Sequence, residues 1–567
     1  MVDLIIKGGY VFDPRNRIDG EKKDVFIHNG KIVEEISPRN AKTIDASGMI
    51  VMPGGVDLHS HIAGSKINAG RLLRPEDHRG DEYRRGCQTR SGVGYSCPST
   101  FTTGYLYAKL GYTTVCEPAM PPLGAKHVHE ELNDTPIVDK AAFALFGNNH
   151  FTLKYVKEGD IEMLKAFIVW LLRTTKAYAV KVVNPGGVEN WKWGKNVRSL
   201  DDSVMNYDVT PRMIVSSLIK ANEELGLPHT VHLHCNNLGL PGNYKTTIET
   251  MEIAKSIKPA KGRNTNLHVV HCQFNALAGE NWAKVKSGAP EISDYVNSNP
   301  NISLDLGQII FTNTTTMTGD GPWQFNLWNM TGNKWINNDV EMEAGAGIVP
   351  YTFKKNNAAN SVQWGIGIEL ALLIKDPWRV YLTTDHPNGG PFIHYPEVIA
   401  WLMSRKARTD TMNEINKSCF KRTDLANNYR EYTFNEIAMI TRAGTAQVLG
   451  LKEKGHLGHG ADADVAIYGL DPKSWRPSQY KNLVKAFSQA AYTIKGGEVV
   501  AIDGEINSAP QGTTHWVEGN VSEEVEAELM KDLKSDFEKY YSINLNNYPV
   551  GDVYTPIQKA HKTGGVI

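Results

Sequence analysis

Short apolar runs separated by glycine-rich turns open the chain. Leu4 to Ile6, Tyr10 to Phe12, Asp24 to Ile27 and Lys31 to Val33 read as strands, punctuated by Gly8-Gly9, Asp13-Pro14 and Asn29-Gly30. Asn29-Gly30 between two such runs predicts a hairpin. Similar strands return late, at Asp464 to Tyr468, Ala490 to Ile494 and Val499 to Ile502. Too few strands lie at either end to bury a core alone, so the pattern predicts one small β-sandwich assembled from residues 1–52 and 448–515.

Between these parts the period changes. Apolar runs recur at Tyr112 to Val115, Ala141 to Phe146, Ala177 to Val183, His229 to His234, Leu267 to His271, Ile302 to Leu306 and Val380 to Thr384. Helical periodicity fills gaps between them, at Ile161 to Thr175, Thr210 to Gly226 and Asn360 to Ile374. Alternation of this kind predicts an α/β fold, a closed (β/α)8 barrel over residues 53–447. That span exceeds the roughly 250 residues of a plain barrel, so insertions are expected at 62–105, 312–360 and 403–432. The segment 516–567 is expected to be an extension: Ser522 caps a helix on which Val525, Leu529, Leu533 and Phe537 share one face.

Composition excludes more than it suggests. A formal net charge of −1 and a pI near 7.0 argue against nucleic acid and anionic membrane surfaces as partners. The six cysteines are scattered without a Cys-x-x-Cys pair, which fits a reducing cytosol and leaves no local signature for an iron-sulfur cluster. No apolar run is long enough to span a bilayer. Gly92-Val93-Gly94 lacks a third glycine and a preceding strand, so no dinucleotide site is expected.

Histidine spacing changes the picture. With 18 histidines, chance gives roughly 0.6 His-x-His pairs. The chain has His59/His61, His127/His129 and His232/His234. His127 and His129 lie in glutamate-rich helical sequence, where residues two apart diverge, and read as surface. His59 and His61 instead close the run after Pro53-Gly54-Gly55, where strand alternation aims both at one metal ion.

The carboxyl ends of later strands offer further ligands, because that face of a parallel barrel hosts the site. His234, His271 and Asp385 are each the last polar residue before a turn. His232 lies one layer deeper and His268 is expected on the opposite strand face; both read as structural. Lys181 sits inside Ala179 to Val183, where burial favours the neutral amine. A neutral amine reacts with carbon dioxide to a carbamate, an anion able to bridge two metals.

This ordered set resembles the amidohydrolase superfamily: the stretch Pro53 to His61, a lysine in the fourth barrel strand, histidines closing the fifth and sixth, and an aspartate closing the eighth. Gly458 to Val465 fits the same pattern. The resemblance implies a TIM-like barrel with a split β-sandwich. It also implies that His59 and His61 hold one metal, that His234 and His271 hold the other, that N6-carboxylated Lys181 bridges them, and that Asp385 completes the first site and acts as general base. Two Zn2+ ions are expected.

Val231 to Gly239, Gly94 to Pro98 and Thr384 to Phe392 more narrowly resemble the A-type subunit family of archaeal formylmethanofuran dehydrogenases. That likeness implies condensation of formate with the amine of methanofuran, beside iron-sulfur subunits and a molybdenum or tungsten formate-dehydrogenase-like subunit. Asn236, Asn237, Arg84 and Arg85 are the expected substrate contacts, the last two from the arginine-rich stretch that also holds Arg71, Arg74, Arg79 and Arg90. A hydrolase of cyclic amides and a non-catalytic scaffold are the alternative readings.

Overall fold

The computed structural model describes residues 3–39, 41–79, 83–338 and 346–566. Eight parallel strands form the barrel: β1 (Gly55–Asp57), β2 (Tyr112–Met120), β3 (Asp139–Leu145), β4 (Ala179–Val183), β5 (Val231–His234), β6 (Leu267–Val269), β7 (Ile302–Asp305) and β8 (Val380–Tyr381). Each pairs with the next. The ring closes by a bridge between Ser60 and His386, where the His61 N–H donates to the His386 carbonyl over 2.7 Å.

The barrel strands are almost wholly buried because helices cover their outer faces. Those helices begin where the sequence supplies caps. Asp160 accepts from the Met163 N–H ahead of Ile161–Thr174, Thr210 from Met213 ahead of Pro211–Glu224, and Asn357 from Asn360 ahead of Ala358–Leu373.

Strands from both ends of the chain build a second, nine-stranded sheet in which Ile50–Pro53 lies between Leu4–Asp13 and Val465–Tyr468. Its core is separate from the barrel's and includes Ile6, Val25, Ile27, Ile44, Val465, Ile467 and Ile494. Gly8-Gly9 does not separate two strands as expected. It makes a register shift inside Leu4–Asp13, with Gly8 at φ +69°, so the first half pairs with Lys42–Asp45 and the second with Ile50–Pro53. Asn29-Gly30 does form the hairpin turn, both residues having positive φ.

Two insertions pack on one another above the barrel. Residues 312–360 contribute a three-stranded sheet (Asn313–Thr318, Ile336–Asn338, Ala346–Thr352) and the helix Gly321–Thr331. The helix Ser65–Leu73 lies against that sheet through Ile67, Cys97, Met317 and Ile348.

The helix Glu523–Tyr540 is capped by Ser522 and buries Leu529, Leu533 and Phe537 against Ile161–Thr174, each contributing about 1.5–3 kcal/mol. Its flanking strands were not anticipated. Thr514–Asn520 pairs with the start of β3, and its Val517 N–H donates to the Ala177 carbonyl just before β4; Gln558–Val566 pairs outside it. The apolar content of both strands is low, which hid them from a periodicity reading. No described helix is long and apolar enough to cross a membrane.

Candidate metal centre

β1 ends at Asp57, and the chain then carries His59 and His61 over the mouth of the barrel. Asp57 anchors this exit by accepting from the His59 N–H and from the hydroxyls of Tyr107 and Tyr395. His61 Nδ1 lies 3.1 Å from Glu117 Oε1, whose other oxygen accepts from the Ile62 and Ala63 N–H groups. Burial alone would raise the Glu117 carboxyl, but the bond and charge of His61 hold it below its ordinary value. The His61 Nε2 is thereby left for a metal, in the common carboxylate–histidine arrangement.

Asp385 meets both histidines, its Oδ1 lying 3.0 Å from His59 Nε2 and 3.3 Å from His61 Nε2. Neither Asp385 Oδ1 nor His59 Nε2 makes a hydrogen bond, although both are buried. Buried polar atoms normally have partners, so a converging set without them fits a cation. His59, His61 and Asp385 indeed form a group with ligand geometry. Burial raises the Asp385 carboxyl against the opposing effect of His61.

Lys181 occupies the middle of β4, paired in register with His232. Its ammonium has no hydrogen-bond partner, and burial pushes its pKa down to about 7, against the pull of Asp385 and Asp305. A lysine in that state holds a substantial neutral fraction near neutral pH. His234 and His271 close the ring at a centroid separation of 4.8 Å. His234 Nε2 is 3.1 Å from Asp320 Oδ2, which leaves Nδ1 for a metal; His271 Nδ1 has no partner. His59, His61 and Asp385 thus offer imidazole and oxygen ligands to a cation, with the nitrogens of His234 and His271 nearby.

Backbone strain accompanies the ligands. Asn184, Asn237, His271 and Asp385, all just past strand ends, have φ of +39°, +62°, +35° and +50°. Such non-glycine conformations persist only where the surroundings enforce them. Here the enforcement is hydrogen bonding: the His271 N–H donates to Asp305 Oδ1 over 2.9 Å and the Asn388 N–H to the Asp385 carbonyl over 2.6 Å.

The remaining expected contacts divide. Asn236 Nδ2 donates to Asn184 Oδ1 and the Pro185 carbonyl, stitching the ends of β4 and β5. Asn237 donates to the Arg198 carbonyl and lines a basin of about 820 Å3 with Lys195 and Arg198. Arg84 and Arg85 are exposed and lie elsewhere. Arg84 lines a cavity with Lys109 and Gly504, and Lys109 ends the helix that feeds the amino end of β2, the end of the barrel opposite the metal ligands. Tyr83 and Gly92 bond to each other across the intervening loop and hold it there. Arg71 is engaged by the Pro98 carbonyl and Glu131, Arg74 by the Thr314 carbonyl, and Arg90 covers the Phe101 ring. The side chain of Arg79 lies outside the described residues.

Two histidines depart from expectation. His129 is buried, with Nε2 on the Thr175 carbonyl, because the helix Ala125–Asp134 packs that face inward; His127 is half exposed. His268 faces the barrel interior, stacked on His232 at 4.9 Å. β6 ends at Val269 and the backbone turns, so strand alternation never reaches His271 and both histidines point inward.

Three carboxylates escaped the sequence reading. Asp305 closes β7 as Asp385 follows β8, a signal that was present. Its Oδ2 lies 3.6 Å from His59 Nδ1 and 3.1 Å from His268 Nε2. Glu117 is followed by Pro118, which disguises the continuation of β2. Asp320 lies in an insertion with no periodic signal.

Asp385 and Asn388 form the floor of a chamber of about 240 Å3. Its walls are mainly apolar, including Phe274, Trp323 and Phe353.

Residues 42–501 match the model of the amidohydrolase family. The chain is 51% identical over 559 residues to protein FwdA of Methanocaldococcus jannaschii, covering 98% of this chain and 97% of that one. It is 36% identical over 558 residues to a component of the formyltransferase/hydrolase complex Fhc of Methylorubrum extorquens, covering 97% of each. The crystal structure of that complex with methylofuran superposes with a TM-score of 0.90 at 34% identity, over 99% of this chain and 100% of the matched one. The family model, the full-length relatives and the split sheet agree, and the chain belongs to the amidohydrolase family.

Proposed function

We propose that this chain is the amidohydrolase subunit of a formylmethanofuran dehydrogenase-type complex, where it transfers a formyl group between formate and the amine of methanofuran. One observation carries the reading: a buried His59–His61–Asp385 cluster beside the unpartnered Lys181 amine, with Asp385 at the floor of an apolar chamber. The full-length likeness to the Fhc component, whose complex was solved with methylofuran, supports the substrate class.

His59, His61, His234, His271, Asp385 and a carbamate on Lys181 would hold two divalent ions, zinc being the assignment we favour. Such a pair supplies a Lewis acid for the formyl oxygen and a water acidic enough to attack at neutral pH. Asp385 takes the proton of the attacking water and delivers it to the leaving amine. In the condensing direction it receives the proton of the attacking amine and delivers it to the departing water, so formate and amine give formamide and water. Glu117 holds the His61 ring in place, and the apolar walls keep bulk water from the acyl group.

Flat side chains such as Trp323 and Phe274 suit a furan ring, and the Lys195/Arg198 basin on the other side of the helix Gly321–Thr331 suits carboxylates carried by the cofactor. The family likeness implies that electrons for making formate would come from partner subunits carrying molybdenum or tungsten and iron-sulfur clusters.

The direct test is hydrolysis of N-formylmethanofuran by the purified chain with its metals counted, beside a hydantoin control. Formate release without hydantoin opening supports the reading. Hydantoin opening without formate release overturns it in favour of a cyclic amidohydrolase, and bound metal with neither activity in the assembled complex favours a scaffold.

A further inference from the structure

The barrel interior beneath the metal ligands is filled by histidines where aliphatic layers are usual. His59 Nδ1 lies 2.8 Å from His232 Nε2, His232 Nδ1 lies 3.1 Å from His229 Nε2, and His229 Nδ1 lies 2.8 Å from the Val448 carbonyl oxygen. All three rings are completely buried. The chain of contacts runs from the ligand cluster to the far end of β5, where Val448 closes a helix outside the barrel strands.

Donor and acceptor roles along this chain follow from its lower end. A carbonyl oxygen only accepts, so His229 Nδ1 must carry the hydrogen. In a neutral ring the other nitrogen is then a lone pair, which makes His229 Nε2 an acceptor and His232 Nδ1 a donor. The same step repeated makes His232 Nε2 an acceptor and His59 Nδ1 a donor. His59 Nε2 is left as a lone pair, and that atom is the one 3.0 Å from Asp385 Oδ1. All three rings are completely buried and none is hydrogen-bonded to a carboxylate, an environment that favours the neutral imidazole.

We propose that His229 and His232 are positioning residues which relay the Val448 carbonyl to His59 and fix the tautomer in which His59 Nε2 is the metal-binding atom. Among the described residues two carboxylates compete here: Asp385 Oδ1, 3.0 Å from His59 Nε2, is an acceptor at the other ring nitrogen, and Asp305 lies within metal-ligand spacing of His59 and His232. His268, stacked on His232, is engaged by Ser303 Oγ at 3.0 Å and Asp305 Oδ2 at 3.1 Å. Asp305 Oδ2 is 3.6 Å from His59 Nδ1, beyond hydrogen-bond length, and Oδ1 is engaged by the His271 N–H and the Thr383 hydroxyl. The two histidines of the first motif are therefore oriented by different means. His61 uses a carboxylate, which strengthens it as a base, whereas His59 uses a neutral relay that fixes direction without adding charge.

The proposal rests on reading His59 as a ligand, and the tautomer in metal-free protein tests it apart from that reading. In the full chain with 15N-labelled histidine, His59 is expected to carry its hydrogen on Nδ1 in the absence of metal. Its hydrogen on Nε2 overturns the proposal. His229→Phe, which cuts the relay remote from the ligands, is expected to weaken metal affinity in chelator competition by about tenfold. His229→Gln offers an N–H to Val448 and an oxygen to His232, and is expected to restore affinity to within about twofold. Wild-type affinity in a folded His229→Phe protein, or no rescue by an equally stable His229→Gln, overturns it. Should His229→Phe fail to fold, the wild-type tautomer decides alone.

Discussion

Asp385 Oδ1 stands 3.0 Å from His59 Nε2, and neither atom has a hydrogen bond although both are buried. A carboxylate oxygen and a ring nitrogen held at that distance without other partners suit a cation between them. Asp385→Asn keeps the shape and removes the proton acceptor. Formamide hydrolysis is expected to fall by about 10^2–10^4-fold with the melting temperature little changed. An Asn variant with wild-type turnover would show that Asp385 moves no proton.

Lys181 gives a second expectation, tied to carbon dioxide. Its amine, with a pKa pushed down to about 7 by burial, is reactive near neutral pH. If Lys181 carries the proposed carbamate, chain reconstituted with zinc in the absence of carbon dioxide and bicarbonate is expected to bind about half the metal bound in their presence, because that ligand cannot form. Lys181→Gln should bind the lower amount under either condition, as read by elemental analysis.

Charge near the chamber is expected to matter where it lines the basin and not where it lies at the barrel base. Neutralising Lys195 and Arg198 together should raise the KM for the furan cofactor by roughly tenfold, about 1.4 kcal/mol, with kcat nearly unchanged. Arg84, which lines a cavity with Lys109, and its exposed neighbour Arg85 should leave KM unaltered when neutralised. The opposite pattern would return substrate binding to the arginine-rich stretch.

Glu369 supplies a pH test away from the catalytic chemistry. Burial pushes its pKa up to about 7, against the opposing effect of the Asp424 N–H, which donates to it. A carboxyl with a raised folded-state pKa stabilises the fold below its unfolded pKa, and that contribution is lost as pH rises through 7. Wild-type protein should therefore lose stability between pH 5 and 8 relative to Glu369→Gln, by up to about 3 kcal/mol, in denaturant titrations. Parallel curves for the two proteins would refute the shift.

His234, His271 and Asp385 were legible because barrel strands are short apolar runs with one polar residue at the turn; His59 and His61 were legible from their spacing, although β1 ends at Asp57 before either of them. Lys181 was legible as a charge inside an apolar run. Alternation failed for His268, since β6 ends at Val269 and His271 turns in the left-handed region. It failed for Glu117 because Pro118 masks a continuing strand. Where Arg84 and Arg85 lie was not legible, because a cluster of charge says nothing about which end of a barrel its loop occupies. The polar strands Thr514–Asn520 and Gln558–Val566 carry no apolar period at all, and only the hydrogen bonds of β3 reveal their place.

That place has a consequence for biosynthesis. The amino end of β3 takes Thr514 and His515 as neighbours, and the residue ahead of β4 is bonded to Val517. A ribosome must therefore deliver more than 350 residues beyond β3 before the seam between β3 and β4 acquires its last strand. Until then the nascent barrel carries an unpaired edge, the kind of surface that recruits other chains. Shortening the chain just before Thr514 would thus remove a stave as well as a tail, and the expected outcome is aggregation during synthesis, even with every metal ligand already in the polypeptide.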